Sequence, residues 1–372
     1  MSNEIRVVLT GGLSGGHTFP LIAVARAIRA RAGAPADFLY IGSRGQFEEN
    51  AMTAEGIPVR YVLSGKMRRY FSLQNFVDPF KVPIGFLQSL WHLFRYMPDA
   101  VFAKGGSVSI PVCLAAWVFR IPIVIHDSDA VAGRANKLLA RFASRIAIAY
   151  PSAQEFFPAR KTALTGNPVR AEILSGDPAT ADARFGFASD RPVVLVLGGS
   201  LGAQSLNKAV VRMLPQLLRE AQVLHQTGNA NYQETVALAG EMGVKAGYEG
   251  YIPVPFLGPA DLALALARAD LVISRAGAGS IAEIAACGKP AILVPLPTAA
   301  NDEQRKNAYD VAHGGGALVL EEANLGEHIF FSKTDELLKN PELRSTMGRN
   351  IRSFYNPDAA DMIAEGVLSL TR

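Results

Sequence analysis

The sequence has few of the features that mark secreted, metal-binding or membrane-spanning proteins. Its 372 residues include two cysteines, Cys113 and Cys287, which are too few for a disulfide framework and lie in no Cys/His spacing typical of a metal site. No signal-peptide pattern precedes the strand-like segment Ile5–Thr10. The longest apolar run, 110–125, is broken by two prolines and an arginine and is too short to cross a bilayer. These absences predict a protein of the reducing cytoplasm without a membrane span.

Charged residues are also sparse, at 19% of the chain, and they are unevenly distributed. Residues 1–168 contain 19 Lys/Arg against 10 Asp/Glu, a net +9, whereas the remainder has 18 against 23, a net −5. This asymmetry indicates that the first half faces something anionic. Phospholipid headgroups, a nucleic acid and a phosphorylated substrate all fit, and composition does not choose among them.

Short β-branched or aromatic runs alternate with amphipathic stretches along the whole chain, which predicts βα units on parallel sheets. The rhythm restarts after Gly166-Asn167-Pro168, and the chain is too long for one ordinary α/β core. We therefore predict two domains with a boundary near residue 168. The predicted strands are Ile5–Thr10, Phe38–Ile41, Val101–Ala103, Ile121–Ile125, Ile146–Ala149 and Thr162–Leu164 in the first half, and Val193–Leu197, Val223–His225, Leu271–Ser274, Ala291–Val294 and Ala317–Leu320 in the second.

Each half opens with a glycine-rich turn between a strand and a helix. The first turn, 11–17, ends in His17, and its helix is expected to start near Pro20. The second turn, 198–207, has a similar placement of glycines. Such turns present unpaired backbone N–H groups to phosphate, although a purely structural turn is the alternative. Neither has the glycine spacing of a dinucleotide-binding or Walker motif, which argues against those functions.

Two polar features follow in the second half. Glu283 lies on a predicted helix, one turn beyond the small-residue segment 274–280, where a carboxylate can accept both hydroxyls of a ribose. Taken alone, Glu283 fits a solvated helix residue equally well. The cluster 301–304 precedes another helix, where it can bind sugar hydroxyls or cap the helix.

The segment 66–97 mixes basic and large apolar residues, which suits a patch that dips into lipid headgroups. The alternative is that its aromatic residues are core and its basic residues form an ordinary solvated face. We favour the membrane for the cluster as a whole. Its residues include Lys66, Arg68, Arg69, Tyr70, Phe71, Phe76, Phe80, Ile84, Phe86, Leu87, Trp91 and Phe94.

Taken together, these motifs resemble the MurG family of peptidoglycan N-acetylglucosaminyltransferases over nearly the whole chain. The matching segments are GGHTFP at 15–20, GGSVS at 105–109, HDSDAVAGRANKLLAR at 126–141, GNPVR at 166–170, GGSLGAQSLN at 198–207, SRAGAGSIAEIAACGKPA at 274–291 and NDEQRKNA at 301–308. The resemblance implies the GT-B fold, an α/β arrangement of two Rossmann-like domains facing each other across a cleft that holds the active site. It assigns 1–168 to acceptor and membrane binding, 169–345 to the UDP-sugar, and 346–372 to a helix that returns to the first domain.

The implied reaction is an inverting transfer of N-acetylglucosamine (GlcNAc) from UDP-GlcNAc to undecaprenyl-pyrophosphoryl-N-acetylmuramoyl-pentapeptide, which converts lipid I into lipid II. By matched position, Glu283 would hold the ribose, the Leu257 backbone would meet uracil, and Gln304 would address the sugar. The other implied donor-site residues are Ser14, Gly15, Gly16, Asp129, Arg170, Ser200, Ala278, Gly279 and Ser280. The implied acceptor and membrane residues are Lys66, Arg68, Arg69, Phe71, Phe80, Trp91, Gly105 and Gly106.

An inverting transfer needs a general base for the acceptor hydroxyl. The candidates are His17, whose ordinary pKa is close to working pH, and the carboxylates Asp127 and Asp129. Asp129 stands where the family usually has an asparagine. The resemblance implies no metal and no cofactor, and its partners are the nucleotide sugar, the lipid-linked acceptor and an anionic membrane rather than nucleic acid.

Three alternatives remain open at this stage. A UDP-GlcNAc 2-epimerase has the same two-domain fold and uridine site but needs no lipid surface. Another UDP-sugar-dependent enzyme would glycosylate a different lipid. A non-catalytic sugar-nucleotide scaffold is disfavoured by the nearly complete set of polar residues. The preferred location is the cytoplasmic face of the cell membrane, with peripheral attachment.

Overall fold

The computed structural model describes residues 4–12, 15–65, 74–198, 203–247 and 250–371, with only the backbone described for 74–80. The chain divides into two compact units. Unit 1 comprises Met1–Val169 and Asn356–Arg372, and unit 2 comprises Arg170–Tyr355.

Unit 1 is built on a parallel sheet that has seven strands within the described ranges, in the order β3-β2-β1-β4-β5-β6-β7. Its central strands are buried over most of their length, as is usual for a parallel sheet with helices on both faces. The strands are β1 (Ile5–Thr10), β2 (Ala36–Gly42), β3 (Val59–Tyr61), β4 (Ala100–Ala103), β5 (Ile123–Asp127), β6 (Arg145–Ile148) and β7 (Thr162–Leu164). The helices are α1 (Gly15–Arg31), α2 (Gln46–Ala54), α3 (Gln74–Tyr96), α4 (Ser109–Val118) and α5 (Arg134–Leu139), with 3-10 turns at Pro151–Phe156 and Ala159–Lys161.

Unit 2 repeats this plan with six parallel strands in the part of the chain that is described, in the order β10-β9-β8-β11-β12-β13. The strands are β8 (Val193–Leu197), β9 (Gln222–Gln226), β10 (Tyr251–Val254), β11 (Leu271–Ser274), β12 (Ala291–Leu293) and β13 (Ala317–Val319). The helices are α6 (Pro178–Phe185), α7 (Gln204–Glu220), α8 (Tyr232–Glu241), α9 (Pro259–Arg268), α10 (Ala278–Ala286), α11 (Glu303–His313), α12 (Glu327–Lys339) and α13 (Pro341–Arg352). Short 3-10 helices span Ala171–Ser175, Ala300–Asp302 and Glu322–Asn324.

Every strand predicted from the sequence is present, with ends that shift by at most two residues. The prediction missed β3 and β10, which both lie at a sheet edge. β3 has only three residues, none of them buried, and β10 contains Pro253, so the local pattern marks neither segment as a strand. The predicted start of the first helix near Pro20 is wrong, because α1 begins at Gly15 and takes the proline into its second turn at the cost of one backbone hydrogen bond.

The last helix, α14 (Ala359–Leu368), belongs to unit 1. It packs on α1, and its Ile363, Ala364 and Val367 join the core beneath that helix. The returning segment starts later than the predicted residue 346, since residues 346–355 belong to unit 2. The reason is that α13 continues to Arg352 and buries Met347 in the unit 2 core.

Candidate active site

Two glycine turns meet at the carboxyl edge of the unit 1 sheet. The strand order reverses between β1 and β4, which is where open α/β sheets bind ligands. Gly105 and Gly106 follow β4 with φ angles of +87° and +85°. A Cβ on Gly106 would lie 2.8 Å from the Cα of Gly12, so glycine is required at this approach. The two predicted acceptor glycines therefore lie against the first turn.

His17 lies in the first turn of α1 with its ring packed on the glycine turn. A Cβ on Gly12 would be 3.2 Å from the His17 Nε2 atom. Burial, with a smaller effect from the positive charge of Lys104, lowers the pKa of His17 to about 4. Folding therefore moves the pKa of His17 away from the ordinary histidine value, which is close to working pH. At neutral pH the imidazole is uncharged and has one ring nitrogen able to accept a proton.

Asp127 ends β5 and anchors the loop that follows it. Its Oδ2 accepts hydrogen bonds from the Gly133 N–H and from Asn136 Nδ2, both at 3.0 Å, and its Oδ1 accepts one from the Asp129 N–H at 3.3 Å. Burial raises the pKa of Asp127, while these donors and the charge of Lys104 lower it. With both oxygens engaged, Asp127 is better suited to holding the loop than to accepting a proton.

Lys104 is the residue of this edge that the sequence analysis did not select. It follows β4 directly, is only 4% exposed, and donates a hydrogen bond from Nζ to Ser128 Oγ. Burial lowers the pKa of Lys104 to about 8, although the charges of Asp127 and Asp129 raise it. The sequence does contain a signal for Lys104, because a single basic residue stands there between an apolar strand and two glycines. A solvated lysine is unusual in that position.

The carboxyl edge of the unit 2 sheet carries an ion pair between two predicted donor-site residues. Glu283 lies on α10, and its Oε1 accepts hydrogen bonds from Arg170 Nη2 at 2.6 Å and Nε at 3.2 Å. The two side chains are 19% and 13% exposed. Burial raises the pKa of Glu283, and the charge and hydrogen bonds of Arg170 lower it. The alternative of a solvated helix residue is therefore wrong for Glu283.

Two other residues that were predicted to contact the sugar donor already make hydrogen bonds within the protein. The Leu257 N–H donates to the buried Gln226 side chain at 3.1 Å, so this N–H is already hydrogen-bonded within the protein. Gln304 lies in the first turn of α11, where its Oε1 accepts from the Leu296 N–H at 3.1 Å. This bond fixes the orientation of the Gln304 amide.

The start of α10 places Ala278, Gly279 and Ser280 at a helix N-terminus, where the backbone N–H groups have no partner within the helix. Just before it, Arg275 is a second buried cation that sequence analysis did not select. Its Nη2 donates to Ser205 Oγ at 2.8 Å and to Glu322 Oε2, and so links the first turn of α7 to β11. This arginine ties together the loops at the edge of the sheet.

Several predicted site residues cannot be placed. Ser14, Lys66, Arg68, Arg69, Phe71 and Ser200 lie outside the described residues, and Phe80 is described only as part of the α3 backbone. Among the residues that are described, no group of three or more His, Cys, Asp and Glu side chains is arranged to hold a metal ion.

The outer face of α3 has an apolar stripe. Ile84, Leu87, Trp91 and Phe94 are between 48% and 64% exposed and recur with helical spacing. The Arg95 guanidinium lies 5.6 Å from the Trp91 ring centre. The alternative that these aromatics are core is therefore wrong for Trp91 and Phe94. No helix within the described ranges is both long enough and apolar enough to cross a membrane.

Comparisons with known proteins match both units. The glycosyltransferase family 28 N-terminal domain matches residues 7–148, and the C-terminal domain of the same family matches residues 193–363. A relative from Bacillus cereus named UDP-N-acetylglucosamine–N-acetylmuramyl-(pentapeptide) pyrophosphoryl-undecaprenol N-acetylglucosamine transferase 2 is 36% identical, over 97% of this chain and 99% of its own. A Bacillus anthracis protein with the same name is 37% identical, over 92% of this chain and 94% of its own.

Solved structures agree with this relationship. The crystal structure of Acinetobacter baumannii MurG superposes with a TM-score of 0.76 at 28% identity, covering 98% of this chain and 99% of that chain. A UDP-GlcNAc 2-epimerase from Neisseria meningitidis gives a TM-score of 0.70 at 14% identity, covering 98% of this chain and 99% of that chain, which is a likeness of fold alone. The chain therefore belongs to glycosyltransferase family 28, among the transferases that carry the MurG name.

Proposed function

We propose that this chain transfers GlcNAc from UDP-GlcNAc to undecaprenyl-pyrophosphoryl-N-acetylmuramoyl-pentapeptide, the step that converts lipid I into lipid II. The observation that carries this proposal is that identity of 36% to such a transferase extends over 97% of the chain, and so includes both units. A protein that only shared the nucleotide site would match in unit 2 alone.

The donor binds unit 2 in this proposal. Glu283 accepts hydrogen bonds from the two ribose hydroxyls, the Leu257 carbonyl meets the uracil, and Arg170 turns to the diphosphate. The N–H groups at the start of α10 and the Gln304 amide address the diphosphate and the sugar hydroxyls, since a helix N-terminus favours negative charge. These fixed donors stabilise the negative charge that develops on the departing UDP.

The acceptor binds at the carboxyl edge of the unit 1 sheet. His17 takes the proton of the acceptor hydroxyl as that oxygen bonds to C1 of GlcNAc and the bond from C1 to the diphosphate breaks, which inverts C1. Its ring is uncharged at physiological pH and can accept a proton, but burial makes it a weaker base than an ordinary histidine. The anchored carboxylate of Asp127 is a weaker candidate, because both of its oxygens already accept hydrogen bonds.

The apolar stripe of α3 attaches the enzyme to the cytoplasmic face of the membrane, where its lipid-linked acceptor lies. Its exposed aliphatic and aromatic side chains enter the headgroup region, while Arg95 beside Trp91 meets anionic lipid. Trp91→Glu is expected to reduce co-sedimentation with anionic vesicles. Ile329→Glu on unit 2, whose side chain is 53% exposed against 57% for Trp91, is the matched control. Equal binding by the two variants would refute this attachment.

The reaction is tested by incubating the full chain with radiolabelled UDP-GlcNAc and the lipid-linked acceptor, followed by extraction of the lipid. We expect label in the lipid fraction and release of UDP, and we expect the rates of both to fall by about 10²–10⁴ in the His17→Gln variant. A parallel incubation without acceptor examines the nucleotide sugar itself. Unlabelled lipid together with an epimerised donor would replace this proposal with the 2-epimerase.

A further inference from the structure

Arg275 is a buried arginine at the carboxyl end of β11 whose side chain contacts three different segments of unit 2. It comes directly after Ser274, the last residue of that strand. Its backbone N–H donates to the Leu197 carbonyl at 3.3 Å, and Leu197 is the last residue of the neighbouring strand β8. Arg275 therefore joins two adjacent strands at the edge where the proposed function places the nucleotide sugar.

The guanidinium group makes hydrogen bonds to all three segments. Its Nη2 donates to Ser205 Oγ at 2.8 Å, in the first turn of α7, and to Glu322 Oε2, in the 3-10 helix after β13. Its Nη1 donates to the carbonyls of Val294 and Pro295 after β12, both at 3.3 Å. A planar group with five donors can make these bonds together, whereas a lysine has a single nitrogen. One side chain thus links the segments that follow β8, β12 and β13.

Two of the helices beside Arg275 begin at this edge of the sheet. α7 starts at Gln204, within the second glycine-rich turn, and α10 starts at Ala278, three residues after Arg275. The backbone N–H groups in the first turn of a helix have no partner within the helix and bind phosphate. Arg275 fixes the two helix starts relative to each other, because it is close to α10 along the chain and hydrogen-bonded to α7 through Ser205.

Arg268, at the opposite end of β11, provides an internal comparison. Its side chain is 10% exposed, against 8% for Arg275. Arg268 also binds acidic side chains, Asp182 and Asp270, together with two backbone carbonyls. It comes before the amino end of β11, away from the edge assigned to the nucleotide. The two arginines are therefore alike in burial and in the kinds of group they bind, and they differ in which end of the strand they hold.

We propose that Arg275 is a positioning residue of the donor site, which holds the start of α7 in place for the diphosphate through Ser205, while Glu322 supplies its counter-charge. The inference rests on the proposed function, because that function assigns the carboxyl edge of unit 2 to the nucleotide sugar. Arg275 acts through Ser205 and not by contact with the donor. Its effect is on donor affinity, and proton transfer is left to unit 1.

The test compares Arg275→Met with Arg268→Met in the full chain. Each variant loses a buried guanidinium and leaves its acidic partner unpaired, so both should be less stable in urea unfolding. Folded Arg275→Met should also bind UDP about tenfold more weakly in calorimetric titration, since a small displacement of a positioning group costs up to roughly 100-fold. Folded Arg268→Met should bind UDP as the wild type does. Equal UDP affinity of the two variants would overturn the proposal.

Steady-state kinetics give a readout that lower stability alone does not move. In Arg275→Met, the KM for UDP-GlcNAc should rise by about tenfold while kcat of the folded enzyme changes by less than about threefold, because an interaction that binds the donor before and during the reaction alters KM alone. A fall in kcat with an unchanged KM would overturn the proposal.

Two milder variants test the link through Ser205, and they decide the proposal even if Arg275→Met does not fold. Arg275→Lys keeps a positive charge beside Glu322 but loses the fork of donors, and Ser205→Ala removes the acceptor on α7. Each change should weaken UDP binding by about threefold to tenfold, the usual effect of one hydrogen bond. The double variant should be no weaker than the weaker single variant, because both changes remove the same bond. Effects that multiply in the double variant would overturn the action through Ser205.

These measurements separate this inference from the proposed function. Wild-type protein that binds no UDP would reject the donor site and the role of Arg275 together. If the wild type binds UDP but transfers no GlcNAc, the proposed reaction is rejected, and the calorimetric comparison still decides the role of Arg275. If the wild type binds UDP and transfers GlcNAc, unchanged UDP affinity in the Arg275 and Ser205 variants would reject only the role of Arg275.

Discussion

The ion pair between Glu283 and Arg170 allows a quantitative prediction for donor binding. In Glu283→Ala, two hydrogen bonds from the ribose to a carboxylate are lost, at about 1.5–3 kcal/mol each. Part of this loss is offset, because wild-type Glu283 must loosen its 2.6 Å contact with Arg170 to receive the ribose. A net loss of about 2–3 kcal/mol corresponds to UDP binding that is roughly 30- to 150-fold weaker.

The same change removes a charged partner of Arg170, whose side chain is only 13% exposed, so it also lowers stability. A matched control separates the two effects. The Arg268–Asp182 pair in unit 2 has the same 2.6 Å separation and side-chain exposures of 10% and 19%, but Arg268 ends α9 just before the amino end of β11, away from the carboxyl edge. Asp182→Ala should therefore destabilise the protein without changing UDP affinity.

Calorimetric titration with UDP measures affinity, and urea unfolding of the same samples measures stability. Glu283→Gln is expected to lie between wild type and Glu283→Ala, since an amide oxygen still accepts from ribose without a charge. An affinity of folded Glu283→Ala within threefold of wild type would remove Glu283 from the nucleotide site. A loss of affinity equal to that of Asp182→Ala would show that only stability had changed.

Three further predictions concern turnover, pH and packing. His17→Gln should lower kcat by about 10²–10⁴ with little change in donor affinity. Near-normal turnover of His17→Gln would reject His17 as the base. In the wild type, the acid limb of the kcat/KM profile should lie near pH 4 rather than 6.5. His225 is buried and its pKa is lowered to about 3, so on acidification the unfolded chain is protonated before the folded one. The free energy of unfolding therefore falls by about 1.4 kcal/mol per pH unit as the pH is lowered from 6.5 to 3. Urea unfolding at pH 7, 6 and 5 should show a weaker dependence of stability on pH for His225→Gln than for wild type. Gly176→Ala would put a Cβ 2.1 Å from the Ala263 carbonyl oxygen and should destabilise the protein by about 1–3 kcal/mol or more. In Gly240→Ala the new Cβ would meet no atom within 4 Å, so this change should stabilise α8 by up to about 1 kcal/mol. Thermal unfolding of both variants tests this contrast.

The two edge strands that the sequence analysis missed, β3 and β10, show the limit of predicting strands from local pattern. Central strands such as β1 and β8 are buried on both faces, and their continuous apolar runs can be identified without a structure. β3 and β10 form because the neighbouring strand provides backbone hydrogen bonds at the sheet edge. The residues of β3 and β10 do not themselves indicate this pairing. The start of α1 was misplaced because a proline was taken to mark the first turn, whereas Pro20 lies inside a helix that begins at Gly15.

The sequence by itself determined the two α/β halves, their glycine turns and the family, because these depend on runs and motifs that are local along the chain. The tertiary structure alone decided the partners and charge states of the site. Glu283 meets Arg170 across 113 positions, and Lys104 reaches Ser128 across 24. Burial decided that His17 is neutral at physiological pH. A pKa depends on desolvation and on charges brought close by folding, and neither is written in the spacing of residues along the chain.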